Sequence, residues 1–469
     1  MTKDELLLLI RNKDSEMTLQ EKLRLTVLLS IPSIIAQVSY VLMEMIDAAM
    51  LGHLSTDDAA AVGLVSTTIW LFGGLTSAFS AGFYVQVAHS VGADNIFRAR
   101  RIIRQGLTTG VLFGLLLTAI GFFLAPHLPH WLGATERICD AATEYFRIFC
   151  CGLPIIIVNS LSAGCLRCSG NIKVPSMLLI MLCCLDVVFN YVFIFLCDLR
   201  TAGAAYGTLV AYAVTAAGMV YALAEKDKVL APLTVTKATN GRRLRILSRK
   251  KTIFELPQRK TLSSALHIGF PMSIERSLMC TAQVAISSII APLGTVAIAA
   301  NSFAINVESL CYMPGHGIAE AATTLVGQSK GAKRPHLMRS FAGISVTLGI
   351  IIMAVMGVVM WVFAPEMMSI ITPDTDVIRL GSEILRIEAW AEPGFAAAIV
   401  ANAVFVGAGK TVVSSFMNLF SIWGVRVSLT MLLAPTYGLH GVWIAMAAEL
   451  CFRGTIFVIR LFTKRWTKI

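Results

Sequence analysis

Residues 23–52 read LRLTVLLSIPSIIAQVSYVLMEMIDAAMLG, the first long apolar run of the chain. The run can cross a bilayer, yet it carries two carboxylates, Glu44 and Asp47. At helical spacing Gln37, Tyr40, Glu44 and Asp47 fall 3, 4 and 3 residues apart, so they form one polar stripe on a surface of Val, Leu, Ile, Met and Ala. An acid at the centre of a membrane helix costs at least ~2.5–3.5 kcal/mol on insertion scales, and so must face protein or a water-filled cavity. A helix with a lipid side and an acidic inner side implies a bundle around a polar space.

The rest of the chain supplies walls for such a space. Of 469 residues, 56% are hydrophobic and only 14% charged, and the mean hydropathy is +0.73, which excludes a soluble globular protein. Eleven cysteines, an odd number, lie mostly inside apolar runs without metal-ligand spacing, and read as small buried hydrophobes instead of a disulfide framework. No cleavable signal peptide is visible, since residues 1–22 mix acids and bases around a short Leu6–Ile10 run; either a short surface helix or a frayed start fits. The net charge of +11 does not imply a nucleic-acid partner, because the basic residues are confined to particular loops.

Twelve apolar segments have spanning length: 23–50, 58–88, 102–125, 138–165, 174–197, 203–223, 263–291, 296–327, 337–363, 377–406, 412–434 and 440–462. Pro32, Pro154, Pro271, Pro314 and Pro393 are candidate kinks. Arg98, Arg100, Arg101 and Arg104 follow segment 2, Arg167 and Lys173 segment 4, Lys330, Lys333, Arg334 and Arg339 segment 8, and Lys410 segment 10. The alternate loops hold almost no Lys or Arg, so the positive-inside rule places both termini in the cytoplasm. Between segments 6 and 7 lies a basic stretch, 225–262, read as a solvated cytoplasmic linker. The expected organisation is an N-terminal segment (1–22), an N-lobe (23–224), the linker (225–262), a C-lobe (263–462) and a cytoplasmic tail (463–469).

The two lobes are repeats. One offset (271 − 32 = 239) joins Pro32 to Pro271, Leu54 to Leu293, Gly92-Ala93 to Gly331-Ala332, Pro126 to Pro365, Pro154 to Pro393 and Gly170 to Gly409. It then slips by one, so that Gly203 matches Gly441. Six segments precede the linker and six follow in the same orientation, so the repeats are parallel and related by an axis along the membrane normal. The fold class is an all-α integral membrane protein of twelve transmembrane helices, and a substrate site is expected between the lobes.

Segments 7 and 8 carry PMSIE (271–275) and ESLCYMPGHGIAEAATTLVGQSKGA (308–332), with IDAAMLG (46–52), LRCSG (166–170) and AGAAYGT (202–208) in the N-lobe. Together these resemble the multidrug and toxic compound extrusion (MATE) family, especially its bacterial DinF-like members, over all twelve segments. The major facilitator loop signature, Gly-x-x-x-Asp-Arg-x-Gly-Arg-Arg, is not met by Gly92–Arg101. The resemblance implies a secondary antiporter in a prokaryotic plasma membrane. It would alternate between outward- and inward-facing V shapes and expel amphipathic, often cationic compounds against H⁺ or Na⁺. With no Walker motif and no metal-spaced His/Cys set, no covalent catalysis and no cofactor are expected, and the protein is expected to act as a monomer in the lipid bilayer.

The resemblance also bears on single residues. Asp47 matches the family's acid in segment 1, while Glu44 stands where the family commonly has Asn. In segment 5, Asp186 and Asn190 occupy one face at i and i+4 in the order opposite to the family's. Thr208 matches a polar position in segment 6, and Asn159 lies within a residue of one in segment 4. These six form the expected proton-coupling group, with a helix-holding hydrogen-bond network as the alternative. At offset 239 the segment 1 stripe becomes Arg276, Met279, Gln283 and Ile286, with both acids gone. Gln37, Tyr40, Glu275, Gln283, Asn301, Glu308, Glu388 and Glu392 are expected to line the substrate cavity and attract cations. A family Na⁺ site would need an acid near Phe395, so proton coupling is preferred. A flippase for a large anionic substrate is the rival; its cavity should carry bases, and the membrane-embedded candidates are few: Arg276, Arg426, Arg453 and Arg386.

Overall fold

The computed structural model describes residues 2–12, 16–133, 135–226 and 255–467, so most of the basic linker falls outside the described residues. The described chain is helical throughout. Helix α1 (Lys3–Arg11) precedes the N-lobe, which comprises α2 (Leu19–Leu54), α3 (Thr56–Gly92), α4 (Ile96–Leu124), the short α5 (Leu128–Trp131), α6 (Glu136–Ser169), α7 (Lys173–Tyr191) and α8 (Arg200–Tyr221). The C-lobe comprises α9 (Arg259–Ile290), α10 (Thr295–Gly331), α11 (Pro335–Ile371), α12 (Thr375–Ala389), α13 (Glu392–Gly407), α14 (Thr411–Ser421) and α15 (Ser428–Phe462). π-helical turns extend α7 and α8 and join α14 to α15.

These helices make twelve crossings. The stretch Thr411–Phe462 is helical over 52 residues, or ~78 Å at 1.5 Å per residue, more than twice the ~30 Å of a hydrocarbon core. It breaks at Gly438 (φ 57°, ψ −136°), a conformation that only glycine adopts readily. A Cβ placed on Gly441 would sit 2.5 Å from the Leu433 carbonyl oxygen, so the chain has doubled back there. Gly203, its repeat mate, meets the Phe193 carbonyl oxygen at 2.7 Å in the equivalent hairpin. Segment 10 is broken instead: α12 and α13 meet at 59°, with Pro393 in the first turn of α13, where its missing N–H costs nothing. Pro32, Pro154, Pro271 and Pro314 lie inside their helices.

Local signals set the ends. Thr18 and Ser55 accept from the N–H groups of Glu21 and Asp58 and start α2 and α3. Gly170 (φ 98°) closes α6 and its mate Gly409 (φ 66°) follows α13, while Asp94 (φ 56°) and Lys333 (φ 59°) hold matching left-handed turns. The repeat is therefore written in backbone angles as well as in residue identity.

Between the lobes α2 packs on α10 and α3 on α9, a pair of contacts that the offset exchanges. Gly317 of α10 admits the Ile34 backbone nitrogen at 2.6 Å from its would-be Cβ, and Gly269 of α9 admits the Ala78 carbonyl oxygen at 2.8 Å. At the ends bearing the basic loops, α3, α6, α10 and α13 converge. His89 bonds the Gly407 carbonyl oxygen at 2.8 Å, and Gln328 donates to that of Cys168 at the same distance. The offset converts one bond into the other. We call this end the basic face.

Helix α1 neither frays nor lies free: a Thr2–Glu5 capping box starts it, and Leu6 and Ile10, fully buried, join the core at the basic face. Lys3 donates to the Gly170 carbonyl oxygen (2.9 Å) and Arg334 to that of Leu9 (2.8 Å), so α1 bridges the two lobes. The outer surface of the bundle exposes Leu112, Leu115, Phe123, Val358 and Leu432, as a lipid-facing belt requires. No disulfide forms among the described residues; Cys151, Cys184, Cys197 and Cys451 are exposed instead of buried, because a thiol on a membrane helix can face lipid as readily as core.

Candidate functional site

The structure places the polar side chains of the helices in two regions. The first is inside the N-lobe, where α2, α7 and α8 meet. The side-chain amide of Asn190 donates from Nδ2 to Asp47 Oδ1 and to Asp186 Oδ2, both at 2.9 Å. Asp186 is fully buried and Asn190 is 1% exposed. Asp186 Oδ1 and Asn190 Oδ1 have no hydrogen-bond partner. Gly207 of α8 makes this packing possible, because a Cβ there would collide with Asn190 Oδ1 and lie 2.8 Å from its backbone nitrogen. Thr208 and Tyr145 also adjoin the acids. Tyr40 lies against Glu44 and Tyr212, one turn along the α2 stripe. Asn159 stands apart from the acids and donates to Thr215 at 3.4 Å.

The second region is a cavity of about 710 Å³ between the lobes. Of the residues expected there, Gln37, Glu275, Gln283 and Glu308 are on its wall. Gln37 donates to Glu320 at 3.1 Å, and Glu275 accepts from Asn418 at 2.7 Å. Tyr40, Asn301, Glu388 and Glu392 are not among the residues lining this cavity. Tyr40 turns toward Tyr212 within the N-lobe. Asn301 accepts from Trp443 Nε1 at 3.0 Å and ties α10 to α15. Glu388 and Glu392 flank the bend between α12 and α13, and both are fully buried with no partner for any carboxyl oxygen. The bend turns Glu392 onto α11, where its Cβ would lie 3.2 Å from a Cβ on Gly357.

The wall also carries four arginines. Arg167, Arg276, Arg426 and Arg453 all line it, beside Tyr84, Tyr312, His316 and Phe395. Only Arg386 is turned away, stacked over Trp361 at 5.8 Å. Arg167 pairs with Glu320 across the lobes at 3.0 Å, and Arg453 with Glu449 at 3.0 Å. Phe395 packs edge-on to Tyr312 (5.2 Å) and lies under the Arg453 guanidinium (5.7 Å). The repeat offset held a signal for one of these arginines: Arg276 is the mate of Gln37, and both face the same space. Glu449 was missed although Glu449 and Arg453 stand at i and i+4 in the last segment.

Comparison with known proteins agrees with this architecture. A family model described as MatE matches residues 32–192 and 271–432, one block in each lobe. A probable multidrug resistance protein NorM from Thermotoga maritima is 24% identical over 449 residues, covering 94% of this chain and 92% of the relative. A MATE structure in complex with MaL6 superposes with a TM-score of 0.86 at 22% identity, covering 98% of this chain and 99% of the other. A MOP superfamily transporter from Pyrococcus furiosus, described as having a binding pocket of reverse polarity, gives 0.86 at 21% identity with 98% of each chain covered.

Proposed function

The chain belongs to the MATE family, whose members are transporters and not enzymes, and on that premise we propose that it exports small amphipathic organic molecules in exchange for protons. The relatives' description as multidrug resistance proteins supports a broad substrate range. The positive-inside rule supports a plasma-membrane orientation with both termini and the basic face in the cytoplasm. In that orientation the cavity of this state is closed toward the cytoplasm by α1, His89 and Gln328.

The observation that carries proton coupling is the single amide shared by Asp47 and Asp186. Two ionised carboxylates on one amide, shielded from water, repel each other, and a proton on either removes the repulsion. Asp47 sits on α2, and α2 also carries Ile34, packed on Gly317, and Gln37, bonded to Glu320. A shift of α2 at Asp47 therefore reaches the lobe interface about three turns away. Protonation would bias one packing of α2 against α10, and so one arrangement of the lobes. Phe395, an apolar residue, stands where a Na⁺ site of the family's pattern would need an acid, which favours H⁺ over Na⁺. The cavity volume lies within the ~300–1,000 Å³ range of small-molecule pockets, which favours a drug-sized cargo over a lipid-linked one.

Everted vesicles loaded with a pH-sensitive dye test this reading. A panel of amphiphiles should evoke proton movement with Na⁺ replaced by choline, and Asp47→Asn or Asp186→Asn should abolish it in a folded, inserted protein. Export that needs Na⁺, or that survives Asp186→Asn at the wild-type rate from pH 6 to 8, would refute it.

A further inference from the structure

One arginine on the cavity wall has no bonded partner among the described residues. Arg167 is matched by Glu320, and Arg453 by Glu449. The Glu275 carboxylate is held by the Asn418 amide. Glu308 lies within the field of Arg426, which leaves Arg276 as the wall arginine without a bonded counterion. Among the described residues Arg276 makes no hydrogen bond and no ion pair, whereas Arg426 contacts the Met446 sulfur and acts on Glu308. A guanidinium gives its full energy only when its fork of donors meets an oxoanion. The protein has nevertheless built a seat for Arg276. Its Cγ and Cδ lie 3.2 and 3.3 Å from where a Cβ of Gly74 would stand, so the absent side chain on α3 makes room for the stem. The stem is thereby seated across the lobe interface and its exposed head is presented to the cavity. Tyr312, His316 and Phe395 supply aromatic surface on the same wall.

Resting on the reading of this cavity as the export site, we infer that it selects amphiphiles bearing a carboxylate or a similar oxoanion, zwitterions included, with the anion docked on Arg276. Arg426 adds to the positive field, the aromatic rings take the apolar body, and Glu308 receives a cationic substituent where one is present. Simple organic cations are then second-class substrates.

Two dyes isolate the charge. Rhodamine 110 carries a free carboxylate, and rhodamine 123 is its methyl ester on the same ring system. Purified full-length protein in detergent is titrated with each, and binding is read by fluorescence anisotropy. The acid should bind about tenfold more tightly than the ester, the scale of one charge-assisted hydrogen-bond pair. Arg276→Gln should weaken the acid by about tenfold and leave the ester within about twofold, and Arg276→Lys should keep part of the preference. Arg276 has no protein partner to orphan, and an unchanged melting temperature checks that the variant is folded. Equal or tighter binding of the ester, no binding of the acid, or equal weakening of both dyes by Arg276→Gln would each overturn the inference. The vesicle assay separates it from proton coupling. A protein that prefers the acid yet moves no protons retains this inference and loses the antiport reading; one that trades rhodamine 123 for protons and ignores the acid does the reverse.

Discussion

A methyl group added at Gly331 should open the basic face. A Cβ on Gly331 would stand 2.8 Å from the carbonyl carbon of His89 and 3.0 Å from the backbone nitrogen of Ala93, with the His89 oxygen closer still. Gly92 makes the reciprocal approach, its Cβ falling 2.7 Å from both the carbonyl carbon and the Cα of Gln328. Carbon atoms prefer ~3.5–4.0 Å, so α3 and α10 would have to part by ~0.7 Å or more at this end. Both obstacles are backbone, which cannot rotate aside. Overpacking of this kind costs ~1–3 kcal/mol, and the penalty falls only on the state in which the two helices touch. Alanine's better helix propensity is common to both states and cancels. The equilibrium should therefore move away from the closed basic face by about 5- to 140-fold. Spin labels at Phe97→Cys and His336→Cys in a cysteine-free background, equivalent exposed positions beyond the two helix ends, would report it by double electron–electron resonance. Wild type should give one short distance, and Gly331→Ala should populate a longer one. An unchanged distribution would show that this contact does not hold the lobes together.

Two further outcomes follow from the geometry. Gly207→Ala should disturb the shared amide by driving Asn190 off Asp47 and Asp186, and should lower proton-driven export more than it lowers the amount of folded protein; equal losses in the two measurements would make Gly207 a packing residue only. At the linker's end, burial raises the Glu255 carboxyl but bonds from Arg101 (2.8 Å) and Arg104 (3.0 Å) outweigh it and hold it below its ordinary range. The anchoring of Glu255 to α4 is then complete above the ordinary carboxylate pKa and fades as pH falls through the lowered one. Hydrogen-exchange protection of residues 256–262, corrected for intrinsic rates, should show this fade, and Glu255→Gln should abolish it; a wild-type protection independent of pH down to 3 would contradict the assignment.

The twelve crossings were legible because length, apolarity and the alternation of basic loops are properties of contiguous sequence. So was the acidic stripe, since Asp47 reveals its inner face by period alone. The partner of Asp47 was half legible. The i, i+4 spacing placed Asp186 and Asn190 on one face, but which of them would touch Asp47 depends on how α7 is rotated against α2. That rotation is set by packing, including the gap left by Gly207. The cavity wall was less legible. Glu388 and Glu392 share a helical face in sequence, and a continuous helix would have aimed them together; the 59° break between α12 and α13 removes the premise. The arginines were visible as residues but not as a wall, because no count of bases says which side of a helix faces the gap between lobes.

The offset of 239 residues shows what the repeat preserves and what it releases. His89 and Gln328 are chemically different, yet each reaches a carbonyl oxygen of the opposite lobe, Gly407 and Cys168, at 2.8 Å. A carbonyl can only accept, so Nε2 of His89 must carry the proton, and an imidazole or an amide serves equally. A contact made to backbone tolerates a change of side chain so long as one N–H arrives. The α2 stripe and its mate on α9 differ in charge as well as in shape. There Gln37, Glu44 and Asp47 correspond to Arg276, Gln283 and Ile286, and the two halves have become an acidic helix and a helix whose arginine lines the cavity. Closure at the basic face is therefore symmetric, whereas the chemistry it encloses is not. A proton taken up on one lobe and an anionic group held on the other would meet only through the helix pairs α2–α10 and α3–α9, the same pairs that the symmetric latch brings together.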